Sequence, residues 1–247
     1  KCEILVSLQC CGYQVRDGDE FFLIKQRLEE VVSSTTWCMA ALLDIGQEEL
    51  TRDVKSALGG EIDLQRERVF LLLSLMYQPQ QIKLVRENFK SGSGDRRVYS
   101  LELLDIFIAQ DVKGLVFPIL EELSLEQRLG YLDVHFPQQH LDPLARLKDI
   151  VNCEYTKANR WTKACALHAL ARSGANGVLD EQVAQLFNPD PLLREVAAWG
   201  IEKNDPAAYR RNVEKLSETS KRGLDRVFQT APDSRPLLIF EKVSLLK

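Results

Sequence analysis

The side chains able to ligate metals or act as nucleophiles are few in this chain, and poorly spaced for either task. Its three histidines are His135, His140 and His168. The first two flank Pro137, and the third lies inside a helical run. None belongs to the His-Glu-x-x-His spacing that sets two ligands on one helical face, so metal chemistry built on His-Glu pairs is excluded. A site from His135, His140 and Cys153 has no ligand spacing to specify it. The six cysteines, Cys2, Cys10, Cys11, Cys38, Cys153 and Cys165, form no Cys-x-x-Cys pair. Cys38 and Cys165 fall in apolar helical runs, where a thiol packs as a small hydrophobe, and the expectation for the set is buried, reduced cysteine.

Two polar loops invite comparison with ion sites. Asp17-Gly18-Asp19-Glu20 lacks the alternating oxygens and closing glutamate of a calcium loop, and reads as a turn leading into a helix. The segment from Ser91 to Asp95, Ser-Gly-Ser-Gly-Asp, stands just before Arg96 and Arg97, and one reading is an anion cradle at a helix N-terminus. No strand precedes it and no Gly-Lys-Ser/Thr follows, so it reads as a turn with Asp95 capping the next helix. Trp37, Trp161 and Trp199 each sit in a helix where an aromatic packs repeat against repeat rather than stacking on bases. The one basic concentration is Arg210, Arg211, Lys215, Lys221, Arg222 and Arg226. It reads as a solvated face, with an anionic partner or a membrane surface as the second reading. The sequence therefore predicts no catalytic residue, no cofactor and no metal.

The elements that must carry these residues are helices. Of 247 residues, 45% are hydrophobic and 28% charged, which suits a folded chain. Lys and Arg number 32 against 36 Asp and Glu, a net charge of −4, so bulk charge will not grip a phosphate backbone. Unbroken apolar runs are short, such as Val69 to Leu73, and none approaches a membrane span. The chain begins at Lys1 rather than a methionine, and the expectation is a piece of a longer protein. Helical spacing is predicted over 22–33, 37–46, 48–58, 66–77, 79–90, 96–109, 112–123, 125–132, 142–151, 160–173, 178–187, 191–203, 206–217, 219–229 and 236–247. Breaks fall at Gly59-Gly60, Gly92 to Asp95, Pro137, Gly174 to Gly177, Asn188 to Pro191, Asp205-Pro206 and Pro232 to Pro236.

One type of helix recurs. A base at its start is followed by small or aliphatic residues three, four and seven positions on, which form one stripe of a helix. Arg68 leads Leu71, Leu72 and Leu75; Arg97 leads Ser100, Leu101 and Leu104. Lys163 leads Ala166, Leu167 and Leu170; Arg194 leads Ala197, Ala198 and Ile201. Cys38 and Arg128 start weaker copies. A step of about 31 residues holding two helices is what a stacked helix-pair array requires. The predicted class is all-α, a right-handed α-α superhelix of about seven helix pairs.

The residues from Asp190 to Ile201, Asp-Pro-Leu-Leu-Arg-Glu-Val-Ala-Ala-Trp-Gly-Ile, resemble the second-helix signature of HEAT repeats. Those from Arg160 to Leu170 are a looser copy. The resemblance implies that Asp190, Arg194 and Lys163 make inter-repeat hydrogen bonds rather than bind a ligand. The order of the segments 66–75, 96–105, 117–123 and the Trp161 helix is similar to the HEAT region of large bacterial membrane proteins related to ATP/ADP carriers. There a major-facilitator-like transport domain precedes the array and a cyclic-nucleotide-binding domain follows it, and residues 237–247 resemble the lead-in helix of that last domain. The resemblance implies a solenoid over 1–235 and a lead-in helix over 236–247, in the cytoplasmic portion of an inner-membrane protein. Neither transport nor nucleotide binding carries onto any residue here.

The functional expectation is a non-catalytic scaffold or regulatory connector whose partners are proteins or neighbouring domains of the same chain. It has no nucleic-acid partner and no small-molecule substrate, and meets a membrane only through its parent. The alternative is a nucleic-acid enzyme on a HEAT-like scaffold, such as an alkylpurine DNA glycosylase. That would need a strongly basic concave face, which an acidic chain makes hard to build.

Overall fold

The computed structural model describes residues 2–46, 49–90, 94–175 and 177–230. Among them are thirteen α-helices and no strand. They are α1 (Cys2–Cys10), α2 (Gly18–Asp44), α3 (Arg52–Met76), α4 (Pro79–Lys90), α5 (Gly94–Phe107), α6 (Gln110–Leu120), α7 (Leu125–Leu132), α8 (Pro143–Asn152), α9 (Arg160–Ser173), α10 (Leu179–Leu186), α11 (Pro191–Asn204), α12 (Pro206–Val213) and α13 (Glu218–Thr230). A 3-10 turn, Glu49–Thr51, precedes α3. The lead-in helix expected over 236–247 lies outside the described residues. Among those described, no helix is long and apolar enough to cross a membrane.

Asp-Pro dipeptides begin three of these helices. Asp142, Asp190 and Asp205 each accept backbone N–H groups through the side chain, and Pro143, Pro191 and Pro206 occupy the first helical position. There proline's fixed φ fits and its missing N–H costs no hydrogen bond. Asn159 caps α9 in the same way, accepting from Trp161 N at 2.7 Å and Thr162 N at 3.0 Å. Ser124 and Gln127 form a capping box on α7. At its other end α9 stops at Gly174, whose φ of +63° is a left-handed conformation that glycine adopts at no steric cost.

Two expected breaks are absent. The chain runs as one helix from Gly18 to Asp44 through Ser33-Ser34-Thr35-Thr36. The Thr35 and Thr36 hydroxyls donate to the carbonyls of Val31 and Val32 at 2.7 and 2.8 Å, so they join the helix instead of competing with it. Likewise Gly59-Gly60 lies inside α3. Leu58 and Ile62 on either side are buried, and their burial carries the helix across two weak formers. Helix α1 adds an element that the spacing did not predict.

The chain falls into two compact units, Lys1–Leu43 with Leu58–His140, and Asp44–Ala57 with Leu141–Lys247. In the first, α4 packs on α5, α5 on α6 and α6 on α7. Its buried residues include Leu28, Val32, Leu72, Leu73, Ile82, Leu104, Ile119 and Leu132. Tyr77 lies between Phe21 and Phe107, each ring 6.2 Å away.

In the second unit α8 packs on α9 and α10 on α11, while α9 and α11 pack on each other. Helix α12 continues onto α11. The ten residues from Thr162 to Ala171 are all buried, so α9 is enclosed on every side. Close approach between helices is made possible by Gly200, because a Cβ there would stand 2.8 Å from the Ala171 Cβ and 2.6 Å from the Gln182 Nε2. At the unit's edge Asp44 accepts from Arg146 Nε at 2.8 Å, Arg146 Nη2 at 2.6 Å and Leu141 N at 3.2 Å.

Candidate functional site

The stripe residues are mostly buried. Leu71, Leu72, Leu75, Ser100, Leu104, Ala166, Leu167, Leu170, Ala197, Ala198 and Ile201 are each at most 3% exposed. The Arg128 copy departs from the pattern: Leu132 is buried but Tyr131 is 63% exposed. The bases that lead the stripes of α9 and α11 turn back toward main-chain carbonyls. Lys163 Nζ donates to the carbonyls of Val151, at 3.0 Å, and Cys153, at the end of α8. Arg194 Nη1 donates to the Asn188 carbonyl, just past α10, at 3.3 Å. Each closes the C-terminal end of the helix that precedes its own, where carbonyls lack helical partners. These bonds lie within a helix pair; between pairs, Arg160 stands 3.4 Å from the Asp190 carboxylate and Asn204 Nδ2 donates to the Ala171 carbonyl at 2.8 Å. Arg68 donates to Gln65 Oε1 at 2.9 Å.

The basic residues near the end of the described chain are more dispersed in role. Arg210 and Arg211 occupy the last turn of α12, where cations complement the helix dipole. Lys215 donates to Asn212 Oδ1 and Lys221 pairs with Glu218. Arg222 is exposed on α13, and the side chain of Arg226 lies outside the described residues.

Buried titratable groups sit in α9 and just before it. His168 lies 5.0 Å from the Trp199 ring, and burial pushes its pKa down to about 4, helped by the charges of Arg172 and Lys203. Asp53 acts in the opposite direction. Burial pushes the Cys153 thiol up to about 11 and raises that of Cys165 further still, so neither is poised as a nucleophile. Cys10 and Cys11 are exposed. His135 and His140 are exposed, and among the described residues no group of three His, Cys, Asp or Glu is placed to hold a metal.

A charged cleft of about 230 Å³ in the first unit brings together side chains that are far apart in sequence. Arg66, Glu67 and Asp63 come from α3, Arg86 and Lys90 from α4, and Arg97 from α5. Glu121 and Glu122 follow α6, and Arg128 lies on α7. Phe70, Phe89 and Leu120 supply an apolar wall, with the two rings 5.6 Å apart.

Most of these charges have partners. Glu67 accepts from Arg86 and, at 3.3 Å, pairs with Lys90. Arg66 Nη1 reaches Asp63 at 2.8 Å, and Arg97 Nη1 reaches Glu122 at 2.5 Å. Arg128 instead donates to a carbonyl, that of Glu121, at 2.9 Å. Its guanidinium is held below the usual range by burial and by the nearby charge of Arg66. The Nε atoms of Arg97 and Arg128 are both buried without a hydrogen-bond partner. In the sequence Arg128 stands out only as a stripe leader and Arg97 as a stripe leader beside the Ser91–Asp95 turn, while Arg66, Arg86 and Lys90 carry no ligand signal. No local spacing links five helical segments, and only the packing of α3 to α7 does so.

Comparison with protein-family models, curated proteins and solved structures finds no match to this chain, and its function is read from its own geometry.

Proposed function

We propose that this chain is a non-catalytic HEAT-like solenoid, a right-handed superhelix of about seven helix pairs that offers its faces to a protein partner or to neighbouring domains of the same chain. The observation that carries the reading is the repeat in the second unit. Lys163 and Arg194 stand 31 positions apart, each leads a fully buried stripe, and each stripe helix packs on its own partner and on the other stripe helix. A helix pair that buries its stripe only against the next pair is the unit of a repeat array. With this register go the finer parts of the reading: a connector on the cytoplasmic side of a carrier-like membrane protein, working through contacts rather than turnover.

Hydrogen exchange on this chain, alone and joined to its neighbouring domains, tests the reading. A connector gains protection on exposed faces of its outermost helices when the neighbours are present. Equal protection at every amide in the two preparations would sink it.

A further inference from the structure

The cleft between α3, α4, α5 and α7 is more cationic than its structural role requires. Five basic side chains line it against four carboxylates, and three of those carboxylates are already engaged by Arg66, Arg86, Lys90 and Arg97. The fourth, that of Glu121, makes no ion pair with Arg128 among the described residues, although the two residues meet through the Glu121 carbonyl. Two guanidinium Nε–H donors remain, on Arg97 and Arg128, both buried and without an acceptor. A charged donor buried without an acceptor is costly, and the natural remedy is an anion that accepts from it.

We propose that this cleft binds a phosphate monoester of a small organic molecule. Two donors on different helices, with the Arg66 charge close to that of Arg128, favour a dianion with several acceptor oxygens over a single carboxylate. The wall of Phe89 and Leu120 suits an organic body attached to the phosphate, and the volume of about 230 Å³ limits that body to a small one. The site lies wholly in the first unit, so it stands or falls independently of the scaffold reading.

The test is an NMR titration of the whole chain at low ionic strength with phenyl phosphate, with inorganic phosphate and sulfate as comparison anions. The expected result is saturable binding that shifts amides around residues 66–70, 86–90, 97 and 121–128. Phenyl phosphate should bind more tightly than either inorganic phosphate or sulfate, because only it places a ring against the wall of Phe89 and Leu120. Arg128→Gln should weaken binding roughly tenfold to a hundredfold, the range for losing a charge-assisted hydrogen bond. Because Arg128 also holds the Glu121 carbonyl, Arg128→Lys provides a second variant: it keeps the charge and a donor but lacks the Nε–H, and it too should bind more weakly. Glu121→Gln should tighten binding by removing a negative charge from the cleft, whereas Arg211→Gln on α12 should change nothing. No saturation by either phosphate, unchanged affinity in both Arg128 variants, or shifts centred on α12 and α13 would each overturn the proposal. A phosphoserine peptide that binds through Arg128 while phenyl phosphate does not would overturn it in favour of a protein ligand.

Discussion

Replacing Gly200 by alanine separates a close-packed helix pair from an ordinary one, because the two cases change stability in opposite directions. In an unobstructed helix interior, Gly→Ala stabilises by about 1 kcal/mol through reduced backbone freedom in the unfolded chain. At Gly200 the added methyl meets the Ala171 Cβ at 2.8 Å and the Gln182 Nε2 at 2.6 Å. The Gln182 amide sits at the flexible end of its side chain, but Gln182 is only 1% exposed and has little room to swing away. Ala171 has no rotamer to change, so only movement of α9 against α11 relieves that contact. Overpacking of this kind costs about 1–3 kcal/mol, and two simultaneous contacts place Gly200→Ala toward the upper end. After subtraction of the propensity gain, the variant should lose about 1–2 kcal/mol.

Urea denaturation followed by circular dichroism at 222 nm gives the value directly. For a chain of this size each kcal/mol also moves Tm by about 2–4 °C. Ala171→Gly alone should be destabilising, since it lowers helix propensity and removes a buried methyl. Combined with Gly200→Ala it restores the gap, so the two should couple favourably by about 1 kcal/mol or more. A Gly200→Ala variant more stable than the parent, or strict additivity with Ala171→Gly, would refute the close approach of α9 to α11 and with it the stacking of one helix pair on the next.

Gly60→Ala is the natural counterpart: Gly60 is exposed within α3 and nothing lies within 4 Å of a Cβ there, so thermal melting should show stabilisation of about 0.5–1 kcal/mol. Asp44→Ala removes the main carboxylate facing a guanidinium that is 3% exposed. Because Asp149 keeps one arm of Arg146 at 2.6 Å, the loss in urea denaturation should fall at the lower end for a broken buried pair, about 3 kcal/mol. His168 should make the protein acid-sensitive. Its folded pKa of about 4 lies below its unfolded value of roughly 6.5, so the unfolded chain binds the extra proton first. Stability is then unaffected above about pH 6.5, falls as pH drops toward 4, and changes little from this group below that. The full span is on the order of 3 kcal/mol. His168→Phe, which keeps a ring against Trp199, should flatten the slope in that window, and an unchanged slope would assign it to other groups.

The helical class and many helix starts are legible in the sequence because both are set locally. Asp190 with Pro191, and the stripes led by Lys163 and Arg194, specify a cap and a buried face within a dozen residues. The breaks expected at 34–36 and at Gly59-Gly60 fail for the opposite reason. Weak formers suggest a stop, whereas the burial of Leu58 and Ile62 and the hydroxyl bonds of Thr35 and Thr36 decide the matter through tertiary and side-chain terms. The Asp44–Arg146 pair, about a hundred positions apart, leaves no local signature.

The same limit explains why residue type alone does not separate structural cations from candidate ligand-binding ones. Lys163, Arg194 and Arg128 occupy equivalent places at the head of a stripe, and all three donate to the carbonyl end of a preceding segment. Lys163 is 4% exposed and carries two carbonyl acceptors and the Tyr155 ring at 4.7 Å, a set that suits a compact ammonium with three donors. Arg128 brings five donors to a place with one recorded carbonyl, a like charge beside it and an Nε–H that nothing accepts. What distinguishes the two is the count of acceptors around each head group, and that count exists only once α3, α4, α5 and α7 are packed together. A base that is satisfied by its own helix pair belongs to the framework; one that the framework leaves short of acceptors is where a ligand can contribute binding energy.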